Sequence, residues 1–347
     1  MVLRFIDGFD HYNTSAILID KWGPGSTSYG SWLTGRYGGL ALSIGSSGSA
    51  EGYGPNVTFD NQGTWIVGCA FTNNGNFQAG NSPVLLRWYD GATCQAQVTI
   101  IAGGAINVYR GAGTTLIASG GTYPTLTWMY VEVMIVFHPS AGSVTVRQNA
   151  SQVANVSGLN TAPSGNAYAS KLVLGQGSGQ WCSGLVDDLY VCDGTGSHGN
   201  SFLAPNSDGL RVYTSYPTGV GTTTQFTSTG VANNWDAVND AQHDGDSTYV
   251  GSATIGAIDL YALGDLPSSA MAVEGVRVGC VARKDDAGTR SIATLVRSGG
   301  TNYPQSTQAI TDSYGYRGDL IVNDPATATL WTPSGVNAIE IGVTNVA

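Results

Sequence analysis

The chain has 347 residues and a formal charge of −10, yet only 11% of its residues are charged, against about 25% in an average globular protein. With 49 glycines, three lysines and four glutamates it lacks the surface residues of a long helical protein, and 42% hydrophobic content with 10% aromatics excludes disorder. The acidic balance disfavours a nucleic-acid backbone or an anionic membrane as partner, since both need a basic footprint, and the length suggests two domains at about 150 residues each.

In chain order, short alternating runs separated by Gly, Asn, Ser, Thr and Pro predict strands over 2–9, 64–71, 84–89, 95–101, 105–110, 128–137, 143–148 and 185–191. In 128–137 one face carries Met129, Val131, Val133, Ile135 and Phe137, and the other Trp128, Tyr130, Glu132, Met134 and Val136. Ala102-Gly103-Gly104 reads as a hairpin loop. Turn chemistry without periodicity over 193–200 marks a boundary between Asp193 and Asp208. The domain reading is 1–195, a linker over 196–207, and a second β domain over 208–347. Strands in the second part are predicted over 210–215, 257–262, 271–282, 291–296 and 339–343. A Thr- and Asn-rich stretch over 218–254 holds only short β segments, and a brief helical turn follows Trp331. The fold class is all-β: a jelly-roll sandwich followed by a smaller β-sandwich.

Five cysteines, Cys69, Cys94, Cys182, Cys192 and Cys280, are odd in number and form no CxxC pair. Cys69 and Cys280 read as small apolar strand residues. Cys182 and Cys192 stand at opposite ends of one strand, too far apart to bridge. The expectation is a reduced protein made in a cytoplasm. No basic-then-apolar leader precedes Phe5, and no run reaches the roughly 18 apolar residues of a membrane span.

Candidate chemistry is sparse. His11, His138, His198 and His243 form none of the zinc spacings. Asp244 and Asp246 could offer oxygens to calcium, although Asp244-Gly245-Asp246 reads first as a turn; whether they bind calcium is left open. Asp187 and Asp188, adjacent in a strand, should point to opposite faces and so cannot form a glycosidase pair by themselves. Their expected role is to accept backbone N–H groups at a sheet end. Gly175-Gln176-Gly177-Ser178-Gly179 precedes no helix and reads as a loop. Arg277, Arg283, Lys284, Arg290 and Arg297, with Asp285 and Asp286 among them, suggest a solvated hairpin or a docking edge. Tyr12, Trp22, Tyr29, Trp32, Tyr37 and Tyr53 lie in a Gly/Ser-rich region and suit core packing, a subunit interface or sugar stacking, in that order. No catalytic residue, cofactor site or metal ligand is assigned.

Phe5-Ile6-Asp7-Gly8-Phe9-Asp10 and Gly184-Leu185-Val186-Asp187-Asp188-Leu189-Tyr190-Val191 resemble the first and last strands of a concanavalin A-like, laminin-G-like jelly roll. The region from Asn234-Trp235-Asp236 through Asp246-Ser247-Thr248-Tyr249-Val250 to Asp259-Leu260-Tyr261 resembles the second half of tailed-phage virion proteins. So do Val281-Ala282-Arg283-Lys284-Asp285-Asp286 and Asn323-Asp324-Pro325-Ala326-Thr327 with Trp331-Thr332. The resemblance implies a non-enzymatic virion structural protein, a minor tail, fibre or baseplate-associated subunit with glycan or receptor contact. The alternatives are a head decoration or head-fibre protein, and a jelly-roll polysaccharide hydrolase or lyase. Expected partners are copies of itself, other virion proteins and a host surface glycan, with no nucleic acid, no membrane insertion and no cofactor. The surface, poor in charge and in Lys at strand edges, suggests a homo-oligomer.

Overall fold

A computed structural model describes residues 2–24, 32–46, 54–73, 84–100, 104–113, 115–124, 126–176, 182–195 and 201–347. Strands dominate these residues, and the two α-helices, Ser15–Trp22 and Pro333–Asn337, are short. No helix among the described residues is long and apolar enough to cross a membrane. The chain divides into two compact units, residues 1–9 with 22–212 and residues 10–21 with 213–347.

The first unit is a two-sheet jelly-roll sandwich. Its strands are β1 (Leu3–Asp7), β2 (Trp32–Thr34), β3 (Leu40–Ser46), β4 (Asn56–Gln62), β5 (Thr64–Asn73), β6 (Val84–Asp90), β7 (Thr93–Ile100), β8 (Ile106–Arg110), β9 (Thr115–Gly120), β10 (Met129–Val136), β11 (Gly142–Gln148), β12 (Ser151–Leu159), β13 (Ala169–Gln176) and β14 (Cys182–Asp193). One sheet runs β12-β11-β10-β5-β14-β3-β2, with β1 also paired to β14. The other runs β4-β13-β6-β7-β8-β9, and every pairing is antiparallel.

Side-chain alternation assigns the faces. From the first sheet Val131, Val133 and Ile135 of β10 lie beside Cys69, Val67 and Trp65 of β5, all buried. From the second sheet Leu86 and Trp88, Ala96 and Val98, Val108 and Leu172 meet them, each at most 1% exposed. Trp88 and Phe137 touch across the gap with ring centroids 6.4 Å apart. Each such residue removed from water stabilises the fold by roughly 1.5–3 kcal/mol, which makes this interior the main source of stability.

The outer face of the first sheet is covered as well. Segment 201–212 lies over Tyr130, Glu132 and Tyr190: the Ala204 amide donates to Glu132 Oε1 at 2.9 Å and the Leu203 amide to the Tyr190 hydroxyl at 3.1 Å. This explains a departure from the sequence reading. Residues 210–215 form no strand, because the Val212 amide is taken by the Asp188 carboxylate at 2.8 Å rather than by a ladder.

In the second unit one sheet orders Pro217–Thr224, Ile258–Leu263, Glu340–Asn345, Arg290–Ser298 and Thr301–Pro304, with Gln308–Ile310 also on Arg290–Ser298. Val276–Ala282 pairs with Gly315–Ile321 as a second sheet. The core of this unit contains Val278 and Ile321 of the smaller sheet, Val296 of the larger one, Trp331 and Ile339. The expected strand over 271–282 is confined to Val276–Ala282. Helix Ser15–Trp22, which the sequence did not suggest, carries Ile17 and Leu18 on a buried face. Pro333–Asn337 is the short helix foreseen after Trp331, capped by the Thr332 hydroxyl, which accepts from the Gly335 amide.

Candidate functional site

The residues singled out in the sequence do not meet in one place. Asp187 and Asp188 are both buried, but strict alternation fails between them. Asp188 has φ +51° and the pairing with β5 shifts between Asp187 and Tyr190, a β-bulge. Both carboxylates consequently attend the same residue: Asp187 Oδ2 accepts from the Arg36 amide at 2.9 Å, and Asp188 Oδ2 lies 3.6 Å from Arg36 Nη1. They act as acceptors inside the fold. Asp246 Oδ1 takes Arg283 Nη2 at 2.8 Å and the Tyr314 hydroxyl at 2.6 Å, while Asp244 accepts from the Thr248 amide and hydroxyl. No group of three or more metal-ligating side chains occurs among the described residues. Arg290 bonds Asp286 at 2.5 Å, but the expected hairpin is not formed: Val276–Ala282 pairs with Gly315–Ile321 and Arg290–Ser298 lies in the other sheet, so the segment between them joins two sheets. Tyr12 and Trp22 are buried and Tyr37 is 48% exposed. Tyr29, Tyr53, His198, residues 102–103 and residues 177–179 lie outside the described residues.

The sequence reading missed the outer face of the second sheet. β6, β7 and β8 pair so that Arg87 stands opposite Gln97 and Gln97 opposite Tyr109. Register therefore builds a cross-strand row from residues of three separate strands. Next to it Thr99 stands opposite Asn107 and Asn107 opposite Ser119. These positions alternate with Leu86, Trp88, Ala96, Val98, Ile106 and Val108, which fill the core, so the polar set faces away from it. Hydrogen bonds tie neighbouring members of this face together in two groups. Arg87 Nε donates to Gln97 Oε1 at 2.9 Å, Asn107 Nδ2 to the Tyr109 hydroxyl oxygen at 3.3 Å, and the Ser119 hydroxyl to Asn107 Oδ1 at 2.7 Å.

Most of this polar set is withdrawn from water, while Tyr109 is half-buried. Arg87 is 9% exposed, Gln97 5% and Asn107 6%, and the Thr99 hydroxyl is buried with no hydrogen-bond partner among the described residues. Gly113, at φ +84°, closes one side: a Cβ there would come within 2.8 Å of Gln97 Nε2. Beyond Tyr89, Lys171 Nζ lies 4.7 Å from the ring centroid. Two cations thus stand on one face of a chain of net charge −10. A largely buried guanidinium attracts a carboxylate more strongly than one in water.

No family model matches the chain, and no curated protein matches it. Among solved structures it is similar to alginate lyase Aly36B at 12% identity, TM-score 0.41, covering 56% of this chain and 98% of that one. It is also similar to alginate lyase AlgAT5 of polysaccharide lyase family 7, at 13% identity, TM-score 0.32, with 48% and 83% covered. A third is a Trypanosoma rangeli sialidase, at 14% identity, TM-score 0.30, with 48% and 29% covered. These proteins are carbohydrate-active enzymes, and the reading of the chain as non-enzymatic is corrected accordingly. That reading rested on the resemblance to virion proteins and on the absence of a catalytic motif, and side chains gathered on a sheet face from different strands leave no motif behind.

Proposed function

We propose that the first unit cleaves an acidic polysaccharide by β-elimination on the outer face of its second sheet. The observation that supports this is the Arg87–Gln97–Tyr109 row, with Asn107 behind the tyrosine. A uronate sugar carries a carboxylate on C5. When Arg87 and Gln97 engage that carboxylate, its charge is offset and the C5 proton becomes acidic. Tyr109, having given its hydroxyl proton to water, takes the C5 proton; the C5–H electron pair forms the C4=C5 double bond; the C4–O bond breaks; and the leaving oxygen receives the proton back from Tyr109. The Asn107 amide holds the tyrosine oxygen and strengthens its bond when that oxygen carries charge.

The test is a set of uronate polymers, alginate, polygalacturonate and hyaluronan, assayed by the ultraviolet absorbance of the new conjugated double bond. Tyr109→Phe is expected to lower kcat by about 100-fold or more, in the range of a lost general acid–base. Arg87→Ala is expected to reduce kcat/KM with every accepted polymer. Absence of unsaturated product from all three polymers removes the reading.

The resemblance of the second unit to tailed-phage virion proteins supports a setting in which the substrate is a host-surface glycan. Mass spectrometry of purified particles tests that placement.

A further inference from the structure

The second unit contains a cleft of about 130 Å³ between the strand pair Pro217–Thr224 and Ile258–Leu263 and the segment leading into the 3-10 turn Asp236–Val238. It is lined by Val220, Thr224, Asn233, Asn234, Trp235 and Leu260 among others, and no charged residue lines it. Leu260 is a buried floor, Val220 is 66% exposed, Asn233 is exposed and Trp235 half-buried. The cleft is thus an open apolar surface edged by an amide and a hydroxyl.

Its walls are held from behind. Asp259 is fully buried, and its carboxylate collects four donors: the Gln225 amide at 2.9 Å, the Phe226 amide at 3.3 Å, Asn234 Nδ2 at 2.8 Å and the Tyr261 hydroxyl at 2.7 Å. Asn234 Nδ2 also reaches the Phe226 carbonyl at 2.9 Å. Pairing of the two strands shifts between Val220 and Thr224, and this bulge, with Gly221 too close to Leu260 for a Cβ, re-aims the strand around the opening. A charged acceptor with this many donors fixes the loop, so the Trp235 ring and the Asn233 amide stand ready before any ligand arrives.

We infer that this cleft binds a single uncharged pyranose ring of a neutral glycan. A sugar ring offers an apolar C–H face to an indole and equatorial hydroxyls to an amide and a hydroxyl. The volume lies below the few hundred Å³ of sites for larger ligands, which fits one ring rather than several. The absence of charge in the lining separates this site from the cationic sheet face of the first unit, and the inference stands whether or not that face is a lyase.

The test uses the full chain, labelled with ¹⁵N and titrated separately with cellohexaose, laminarihexaose, xylohexaose and N-acetylchitohexaose, with oligogalacturonate as the charged comparison. The indole N–H signal of Trp235, identified by its loss in Trp235→Phe, is expected to move with at least one neutral oligosaccharide. Affinity is expected to fall at least tenfold in Trp235→Ala and severalfold in Asn233→Ala, whose exposed position leaves folding intact. Arg87→Ala is expected to leave these shifts unchanged, so failure of the lyase reading and failure of this one are told apart. No movement of the signal with any of the four, a stronger response to oligogalacturonate than to all of them, or an affinity indifferent to both alanine variants overturns the inference.

Discussion

Glu132 shows how one side chain makes stability depend on pH. It is buried on β10, with Tyr190 Oη 2.5 Å and the Ala204 amide 2.9 Å from Oε1, and Arg147 Nη1 3.3 Å from Oε2. Burial raises its pKa above the ordinary 4.5, although Tyr190, Ala204 and Arg147 pull the other way. A group that holds its proton more tightly when folded contributes stability that is full below its unfolded pKa and is lost as pH rises through the folded one. The urea midpoint of the wild type is therefore expected to fall relative to Glu132→Gln as pH rises from about 4.5 towards neutrality; a constant difference across that range refutes the assignment. Asp259 is the second residue with a large expected effect. Asp259→Ala strands four donors in the second unit, and a loss of about 3 kcal/mol is expected in urea denaturation, the scale of an unsatisfied buried charge site.

Between elements, Gly68 of β5 fits tightly under Tyr190 of β14. A Cβ at Gly68 would stand 2.2 Å from Tyr190 Cε1. The tyrosine is fully buried and bonded to Glu132 and the Leu203 amide, so it cannot swing away without breaking both. Gly68→Ala is expected to destabilise by about 1–3 kcal/mol, the cost of overpacking a filled interior, and to loosen segment 201–212. Thermal melting together with amide exchange at Leu203 and Ala204 checks it. The bulge at Asp188 belongs to the same scale. Its positive φ turns two adjacent carboxylates toward Arg36 and the Val212 amide, and that pins the Val212 end of the covering segment.

At the scale of the whole molecule, the described thiols are withdrawn from solvent, Cys69 and Cys192 fully and Cys94 and Cys280 in part. Cys69, Cys94, Cys192 and Cys280 are free thiols. Burial pushes Cys94 up to about 11 and Cys280 up to about 12, despite the opposing charges of Arg87 and Arg317, and raises Cys69 further. Only thiolates react quickly. At about pH 8, near the pKa of a free thiol, a disulfide reagent is expected to label these three slowly in the native chain and rapidly after guanidinium unfolding. Fast native labelling at Cys69 or Cys280 contradicts this packing.

The β class was legible because alternation within a strand is a local property: Met129, Val131, Val133 and Ile135 announce their common face in eight residues. The turn after Trp331 and the strands around Val98 and Val108 were legible for the same reason. Helix Ser15–Trp22 was not, since eight residues span barely two turns and its apolar positions gain their meaning only from the core that buries them. The site was hidden for a different reason. Arg87, Gln97 and Tyr109 are ordinary outward positions on three strands, and nothing inside any one strand says which residue of the next will stand beside it. Strand register makes that choice, and register comes from turns, bulges and the packing of the opposite face. Composition and alternation determined that this chain is a layered β protein with an acidic, charge-poor surface; the tertiary structure alone decided that a guanidinium, two amides and a phenol share one face.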